Sequence, residues 1–400
     1  MNNIRKLTDS LFWVGINDRR IALFENVYPV PTGMSYNSYV LLDEKTALFD
    51  TVDASFTHDF LENVTAALKG RTLDYLIVNH MEPDHCASIA DVIAVYPEAK
   101  IVCTAKAVGM MKQFFDFDVD SRAILVKEGD TISLGSHELT FVMAPMVHWP
   151  EVMVTYEKTE KILFSADAFG SFGAVDGNIV ADEIDDKVAW LSEARRYYTN
   201  IVGKFGMSVQ GLLKKAAGLE IRMICPLHSV IWREDLPWLI DKYLKWSSYT
   251  PEEKSVTIAY GSVYGHTEKA ADILAGKLAD RGIRHISVFD VSKTHPSYII
   301  ADAFRTSAIV FASITYNGGI FCNMDTLLHQ LAAHGLTNRT AALIQNGTWA
   351  ATTSKQMGEI LGTMKNIHVL ESDVTIKSAL KDNQEAELDA LADAIAASLQ

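Results

Sequence analysis

Basic residues are in short supply. The chain has 36 Lys and Arg against 50 Asp and Glu, a formal net charge of -14. Binding to a phosphate backbone runs on clustered cations that release counterions, so this balance argues against nucleic acid as a partner. Cysteine is scarce as well. Cys86, Cys103, Cys225 and Cys322 are widely scattered and form no C-x-x-C pair. That excludes a disulfide framework, and it excludes a rubredoxin-type or iron-sulfur centre built by these residues. No apolar run approaches the roughly 20 residues a membrane helix needs. The first fifteen residues lack a long apolar segment ending in a small-residue cleavage site. The expectation is a cytoplasmic protein with no membrane attachment. Low-complexity tracts are also missing.

What remains is an ordinary globular composition, 48% hydrophobic and 22% charged over 400 residues. That length suits two domains better than one core. Ser38 to Leu42 and Ala47 to Phe49 read as strands around a turn at Asp43 to Lys45, and Tyr75 to Val78 reads as a strand after a helical stretch. A second strand-rich block runs from Ile124 to Ala166, with turn signals at Glu128-Gly129-Asp130 and Gly135-Ser136. Helical periodicity then covers Asp186 to Leu219. A Trp-rich, Pro-interrupted segment, Trp232 to Pro251, precedes a clear change of pattern, which places a boundary at residue 250. Beyond it strands at 256–259, 285–289, 309–312 and 341–344 alternate with helical stretches, the mark of a doubly wound parallel sheet.

Chemistry concentrates after the strand Tyr75 to Val78, where His80-Met81-Glu82-Pro83-Asp84-His85 packs four potential metal ligands into six residues. Pro83 is expected to keep the segment out of regular helix or central strand, so that the loop can turn its donors toward one point. Partners follow later apolar runs: His148 after Phe141 to Val147, Asp167 after Ile162 to Phe164, and His228 after Met223 to Pro226. Each trails a strand, so all can gather at one sheet edge as a two-metal set.

At these residues the chain resembles the metallo-β-lactamase superfamily, whose hydrolases carry H-x-H-x-D-H on such a loop, followed by a spaced His, Asp and His. Here the second His is Glu82. A hard anionic oxygen in that place favours iron over zinc, because carboxylate charge stabilises the ferric state. H-x-E-x-D-H together with His148-Trp149-Pro150 looks like the flavodiiron proteins. The resemblance implies an αββα sandwich over residues 1–250 that holds two iron ions. His80, Glu82 and His148 would hold one, Asp84, His85 and His228 the other, and Asp167 would bridge. The His matching His85 is uncoordinated in some members.

The second half carries an independent constellation. Ser262-Val263-Tyr264-Gly265-His266-Thr267 follows its first strand and opens its first helix, offering hydroxyls and free N–H groups to a phosphate. Two further loops leave strand C-termini: Ser313-Ile314-Thr315-Tyr316-Asn317-Gly318-Gly319 and Asn346-Gly347-Thr348-Trp349. Tyr316 and Trp349 are candidates to cover the two faces of an isoalloxazine. This arrangement is similar to flavodoxin and implies FMN bound over residues 251–400, although Gly347 and Thr348 stand where Tyr and Gly are common.

The combined resemblance implies an α/β protein of two domains, a metallo-β-lactamase-like sandwich followed by a flavodoxin-like doubly wound sheet. The implied activity is reduction of dioxygen to water or of nitric oxide to nitrous oxide. Electrons would come from an external donor such as rubredoxin or reduced deazaflavin. A reduced di-iron pair and a reduced FMN together hold the four electrons that dioxygen requires. The implied assembly is a head-to-tail homodimer or a dimer of dimers. Two other readings stay open on sequence. One is a zinc-dependent hydrolase with an accessory flavodoxin-like domain, and the other is an electron-transfer module that binds no oxidant.

Overall fold

The computed structural model describes residues 2–185 and 187–400. Met1 and Asp186, the latter the first residue of the expected helical run, lie outside them. The chain forms two compact units. One runs to Tyr198 and resumes over Met207–Tyr243, and the other comprises Thr199–Gly206 and Leu244–Gln400. The division falls inside the helix Leu236–Ser247, a few residues before 250. Local contacts show why. The hydroxyl of Tyr243 accepts the Phe169 N–H at 2.5 Å in the first unit, while Trp246 donates its indole N–H to Glu252 at 2.7 Å in the second.

The first unit contains two large sheets, besides the two-stranded pairs Ile16–Asp18 with Met34–Tyr36 and Leu23–Phe24 with Tyr28–Pro29. In order across the first, the described strands are Arg5–Lys6, Leu11–Trp13, Tyr39–Leu42, Thr46–Phe49, Tyr75–Ile77, Lys100–Cys103 and Ala123–Leu125. The second runs Thr131–Ser133, Glu138–Met143, Met153–Glu157, Ile162–Phe164 and Met223–Cys225. Phe49 of the first sheet stacks on Phe164 of the second with centroids 3.7 Å apart, and Tyr39 meets the same ring edge-on at 5.5 Å. All three are buried. Aromatic side chains of this size supply the largest single burial contributions to a sandwich core.

Tyr75–Ile77 lies parallel to both Thr46–Phe49 and Lys100–Cys103, and Ile162–Phe164 lies parallel to Met223–Cys225. The segments that follow Tyr75–Ile77, Ile162–Phe164 and Met223–Cys225 carry the candidate ligands except His148, which follows Glu138–Met143. Pro83 departs from expectation: it begins a short helix, Pro83–Cys86, which itself presents Asp84 and His85. At the first helical position the missing proline N–H has no partner to lose and its fixed φ suits the turn. The expected helical run from 186 to 219 is interrupted. Lys187–Tyr197 and Gly206–Ala216 are its α-helical parts.

In the second unit the parallel strands lie in the order Ile286–Asp290, Glu253–Gly261, Thr306–Tyr316, Arg339–Asn346, Ile367–Val369. This is the 2-1-3-4-5 order of flavodoxin-like sheets. Alternate residues of one strand serve opposite faces. Ala308, Val310 and Ala312 pack with the helices His266–Asp280 and Glu385–Ser398, whereas Ile309 and Phe311 pack with Pro296–Arg305 and Cys322–Ala333. With both faces covered, the strands read as nearly continuous apolar runs.

Candidate functional site

All seven residues expected to bind metal converge in the first unit. His80 Nε2 lies 3.3 Å from Glu82 Oε2 and 3.1 Å from Asp167 Oδ2. His148 Nε2 lies 2.9 Å from Glu82 Oε2 and 3.1 Å from Asp167 Oδ2. On the other side, His85 Nε2 is 3.3 Å from Asp84 Oδ2 and 3.3 Å from Asp167 Oδ1, and His228 Nε2 is 3.4 Å from Asp84 Oδ2 and 3.6 Å from Asp167 Oδ1. Asp167 therefore turns one oxygen to each group of donors.

The spacing tests whether these residues fit metal ions. Donors held about 2.1 Å from an ion sit roughly 3.0–3.4 Å apart at the edges of its coordination polyhedron. The spacings here match that range closely. Hydrogen bonding gives the same answer, because His80 Nε2 and both carboxylate oxygens of Asp84 and Asp167 are buried without a hydrogen-bond partner among the described residues. Buried polar atoms are seldom left so, and a cluster of them pointing at one place is what a coordination site looks like before its ion is counted. Two donor groups result, His80, Glu82, His148 and Asp167, and Asp84, His85 and His228.

Electrostatics show the same strain. Burial, together with the neighbouring Glu82 and Asp167, pushes the Asp84 carboxyl up to about 7 despite His85 beside it. Burial and His85 push the His228 imidazole down to about 3. Burial opposes ionisation of Asp167 and Glu82 too, yet contacts with His80 and His148 hold both carboxyls below the usual range. Partly charged donors forced together in this way are relieved by cations between them.

A supporting shell orients the donors. His228 donates Nδ1–H to the Ser35 carbonyl at 2.7 Å, which leaves Nε2 free to ligate. His80 donates Nδ1–H to Glu151 at 2.8 Å. Asp50, fully buried, accepts the N–H groups of Asn79 and His80 at 2.7 and 3.1 Å and fixes the start of the ligand loop. Phe24, Tyr36 and Tyr197 meet His228 at 5.4 to 6.0 Å between centroids, and Trp149 stands perpendicular to His80 at 5.4 Å. These rings exclude water from the donors. Sequence reasoning did not find Glu151, Asp50 or Glu25, the last of which interacts with Glu82 from a hairpin turn.

In the second unit, a cleft of about 300 Å³ opens at strand C-termini, lined by Ser262, Tyr264, His266, Thr267, Ile314, Asn346, Thr348 and Ser378. Ser262 Oγ accepts the Gly265 N–H at 3.1 Å, and Gly265 takes φ +85° to start the helix His266–Asp280. Asn346 donates to Thr267 Oγ1 at 3.3 Å and to the Ser378 carbonyl at 3.0 Å. Ser378 is a wall residue that sequence reasoning missed. The other expected residues are not among those lining it. Thr315 accepts the Thr352 N–H, and Asn317 and Gly318, both at positive φ, turn a hairpin in which Tyr316 pairs with Gly319. Val263, Tyr316 and Trp349 are exposed, Trp349 at 95%. A Cβ at Gly347 would collide with the Ala350 carbonyl, so the loop in this conformation has no room for the Tyr common there.

A two-metal donor set on a metallo-β-lactamase-like sandwich, in a chain that also carries a flavodoxin-like sheet, defines a class of metal- and flavin-dependent oxidoreductases. Residues 34–229 match the family model described as ODP family beta lactamase. The chain is 30% identical over 352 residues to anaerobic nitric oxide reductase flavorubredoxin of Escherichia coli, covering 86% of this chain and 72% of that protein. Among solved structures it is similar to rubredoxin oxygen:oxidoreductase from Desulfovibrio gigas, with TM-score 0.92, 28% identity, and 99% and 98% of the two chains covered. It is likewise similar to the flavodiiron protein from Giardia intestinalis, with TM-score 0.93, 26% identity, and 100% and 98% covered. The chain belongs to the flavodiiron protein family, and it is an oxidoreductase.

Proposed function

We propose that this protein reduces dioxygen or nitric oxide at a pair of iron ions and receives the electrons through FMN. His80, Glu82 and His148 would hold one ion and Asp84, His85 and His228 the other. The observation that carries this reading is Asp167, whose two buried oxygens face the two donor groups separately. When bound, the iron pair supplies Lewis acidity and reducing equivalents, and FMN supplies a two-electron store.

The chain's own residues prepare this chemistry. Three carboxylates among seven donors favour iron, and the aromatic shell around His228 and His80 keeps the donors dry. In the second unit, Ser262, Thr267 and the N–H groups opening the helix His266–Asp280 suit the phosphate of FMN. Tyr264, Tyr316 and Trp349 offer exposed aromatic surface for the ring, and the loops 315–319 and 346–349 offer backbone groups for its polar edge.

The relatives' names support a gas as oxidant and a rubredoxin-type protein as donor; reduced deazaflavin is the alternative donor class that we propose. They do not favour the hydrolase reading. Among the described residues no helix is long and apolar enough to cross a membrane. A cytoplasmic location is part of the reading we propose. We also propose a head-to-tail dimer in which the flavin of one chain faces the metal centre of its partner. Mixed dimers joining a metal-damaged chain (His80→Ala, His148→Ala) to a flavin-damaged chain (Thr267→Ala, Trp349→Ala) should regain activity, and verified mixed dimers that stay inactive would refute it.

The direct test is anaerobic reconstitution with iron and FMN, reduction by rubredoxin, and measurement of each gas. Stoichiometric iron, a flavin spectrum and consumption of either gas are expected. A colourless protein that holds zinc and consumes neither gas would overturn the reading.

A further inference from the structure

The imidazoles of the metal centre are not supported alike. His228 leans on a neutral acceptor, the Ser35 carbonyl, at 2.7 Å. His85 Nδ1 is buried with no hydrogen-bond partner among the described residues. His80 alone of these three is backed by a carboxylate, with Glu151 Oε1 at 2.8 Å from Nδ1 and both side chains fully buried. The same oxygen accepts the Met81 N–H at 2.9 Å, so one atom fixes the ring and the backbone beside it. Glu151 Oε2 has no hydrogen-bond partner among the described residues.

A carboxylate behind a ligating imidazole locks the proton on the far nitrogen, orients the ring and raises its basicity. Two consequences follow from its presence behind His80 alone among the three. The donor group His80, Glu82, His148 and Asp167 is pre-organised before an ion arrives, and it has the more basic imidazole. The group Asp84, His85 and His228 includes one ring held by a neutral carbonyl and one without a partner at its far nitrogen.

We propose that Glu151 is a positioning residue that makes the two metal positions unequal, so that the position built on His80 fills first and holds its ion more tightly. This rests on the two-metal reading above. Glu151 is not a ligand in that reading. It acts through His80 and through the loop at Met81, and it stands immediately after His148-Trp149-Pro150, so one short segment both ligates one ion and steadies another of its ligands.

Two substitutions separate charge from geometry. Glu151→Gln keeps an oxygen that can accept from His80 Nδ1–H and Met81 N–H but removes the charge. Glu151→Leu removes both. The full-length apoprotein, with its flavin retained, is titrated anaerobically with cobalt(II) alone, read by calorimetry, by the visible cobalt bands and by elemental analysis. Wild type should take two ions in two resolved steps. Glu151→Leu should weaken the tighter step ten- to a hundredfold, the usual cost of losing such a partner, and leave the weaker step unchanged. Glu151→Gln should retain both ions and lose a smaller part of the tighter affinity, with shifted cobalt bands. If Glu151→Leu does not fold, as read by circular dichroism, Glu151→Gln carries the test alone, and wild-type affinity and bands in that variant overturn the proposal. Loss confined to the weaker step overturns it as well. A wild type that binds fewer than two ions refutes the two-metal reading itself, and this inference with it.

Discussion

Removing the metal should cost the first unit much of its stability. Its donors are buried and several lack partners among the described residues, including His80 Nε2 and both carboxylate oxygens of Asp84 and Asp167. Ions that bind the folded unit and not the unfolded chain stabilise it by about 2.7 kcal/mol each at a hundredfold excess over Kd. Two ions give roughly 5 kcal/mol. For a unit of about 235 residues, each kcal/mol moves Tm by about 2–4 °C, so the expected loss on chelation is about 10–20 °C. Trp13, Trp190 and Trp232 are buried in this unit and Trp246 in the other, so near-ultraviolet circular dichroism follows mainly the melting of the first unit, while flavin fluorescence follows the second. Protein stripped of metal by a chelator after reduction, then restored with iron, should lose and regain this increment in the tryptophan transition with the flavin transition nearly fixed. A tryptophan transition that stays within 2 °C while elemental analysis shows the metal gone would refute the reasoning.

Other changes should act locally. Gly347→Ala should weaken FMN retention at least tenfold, measured by flavin loss on gel filtration, with metal content unchanged, because any Cβ there collides with the Ala350 carbonyl. His148→Ala should lower iron content and gas consumption while flavin absorbance stays intact; FMN lost in step with iron would contradict the separation of the two sites. Burial opposes ionisation of Asp43, but hydrogen bonds from His137 and Glu44 bring its carboxyl down to about 2 from 3.8. Its contribution, roughly 2 kcal/mol, is therefore present above pH 4 and lost as the pH falls from about 4 toward 2. Asp43→Asn should destabilise the metal-free protein at pH 6 and flatten that acid loss in urea titrations; an unchanged acid limb would show that another group sets it.

Much of the architecture was legible because strands buried on both faces announce themselves as apolar runs. Ile162 to Phe164 is a strand with the bounds expected, and the run from Ile309 to Ala312 marks the middle of a longer strand, Thr306–Tyr316. Its ends went unseen because Thr306, Ser307, Ser313 and Thr315 are polar and are paired through backbone and hydroxyl groups instead. The candidate ligands were legible for a related reason. A His or Asp that trails a buried strand must emerge at the sheet's edge, and several such positions point at one place.

The supporting residues follow a different logic. Glu25 reaches Glu82 because Glu25 and Asn26 adopt φ of +49° and +57° and close the hairpin of Leu23–Phe24 and Tyr28–Pro29. Ser378 arrives in the cleft of the second unit because the strand Val374–Ile376 pairs with Arg339–Asn346. Glu151 had one usable signal, a charged residue placed directly after His148-Trp149-Pro150 and just before a strand whose residues are all buried. A charge in such surroundings needs a specific partner, and that partner, His80, lies 71 residues away.

The donor set also explains why the first unit requires two sheets. His80, Glu82, Asp84 and His85 follow a strand of one sheet, whereas His148, Asp167 and His228 follow strands of the other. Neither sheet alone supplies both donor groups, and Asp167 of the second sheet faces residues of the first on each of its oxygens. The seam beneath is set by Phe49 stacked on Phe164, and Phe164 stands three residues before Asp167. Metal binding by these residues would therefore be coupled to sheet packing. An ion held by both donor groups would resist separation of the sheets, and the stacked rings that hold the sheets together would also fix the spacing on which its coordination depends.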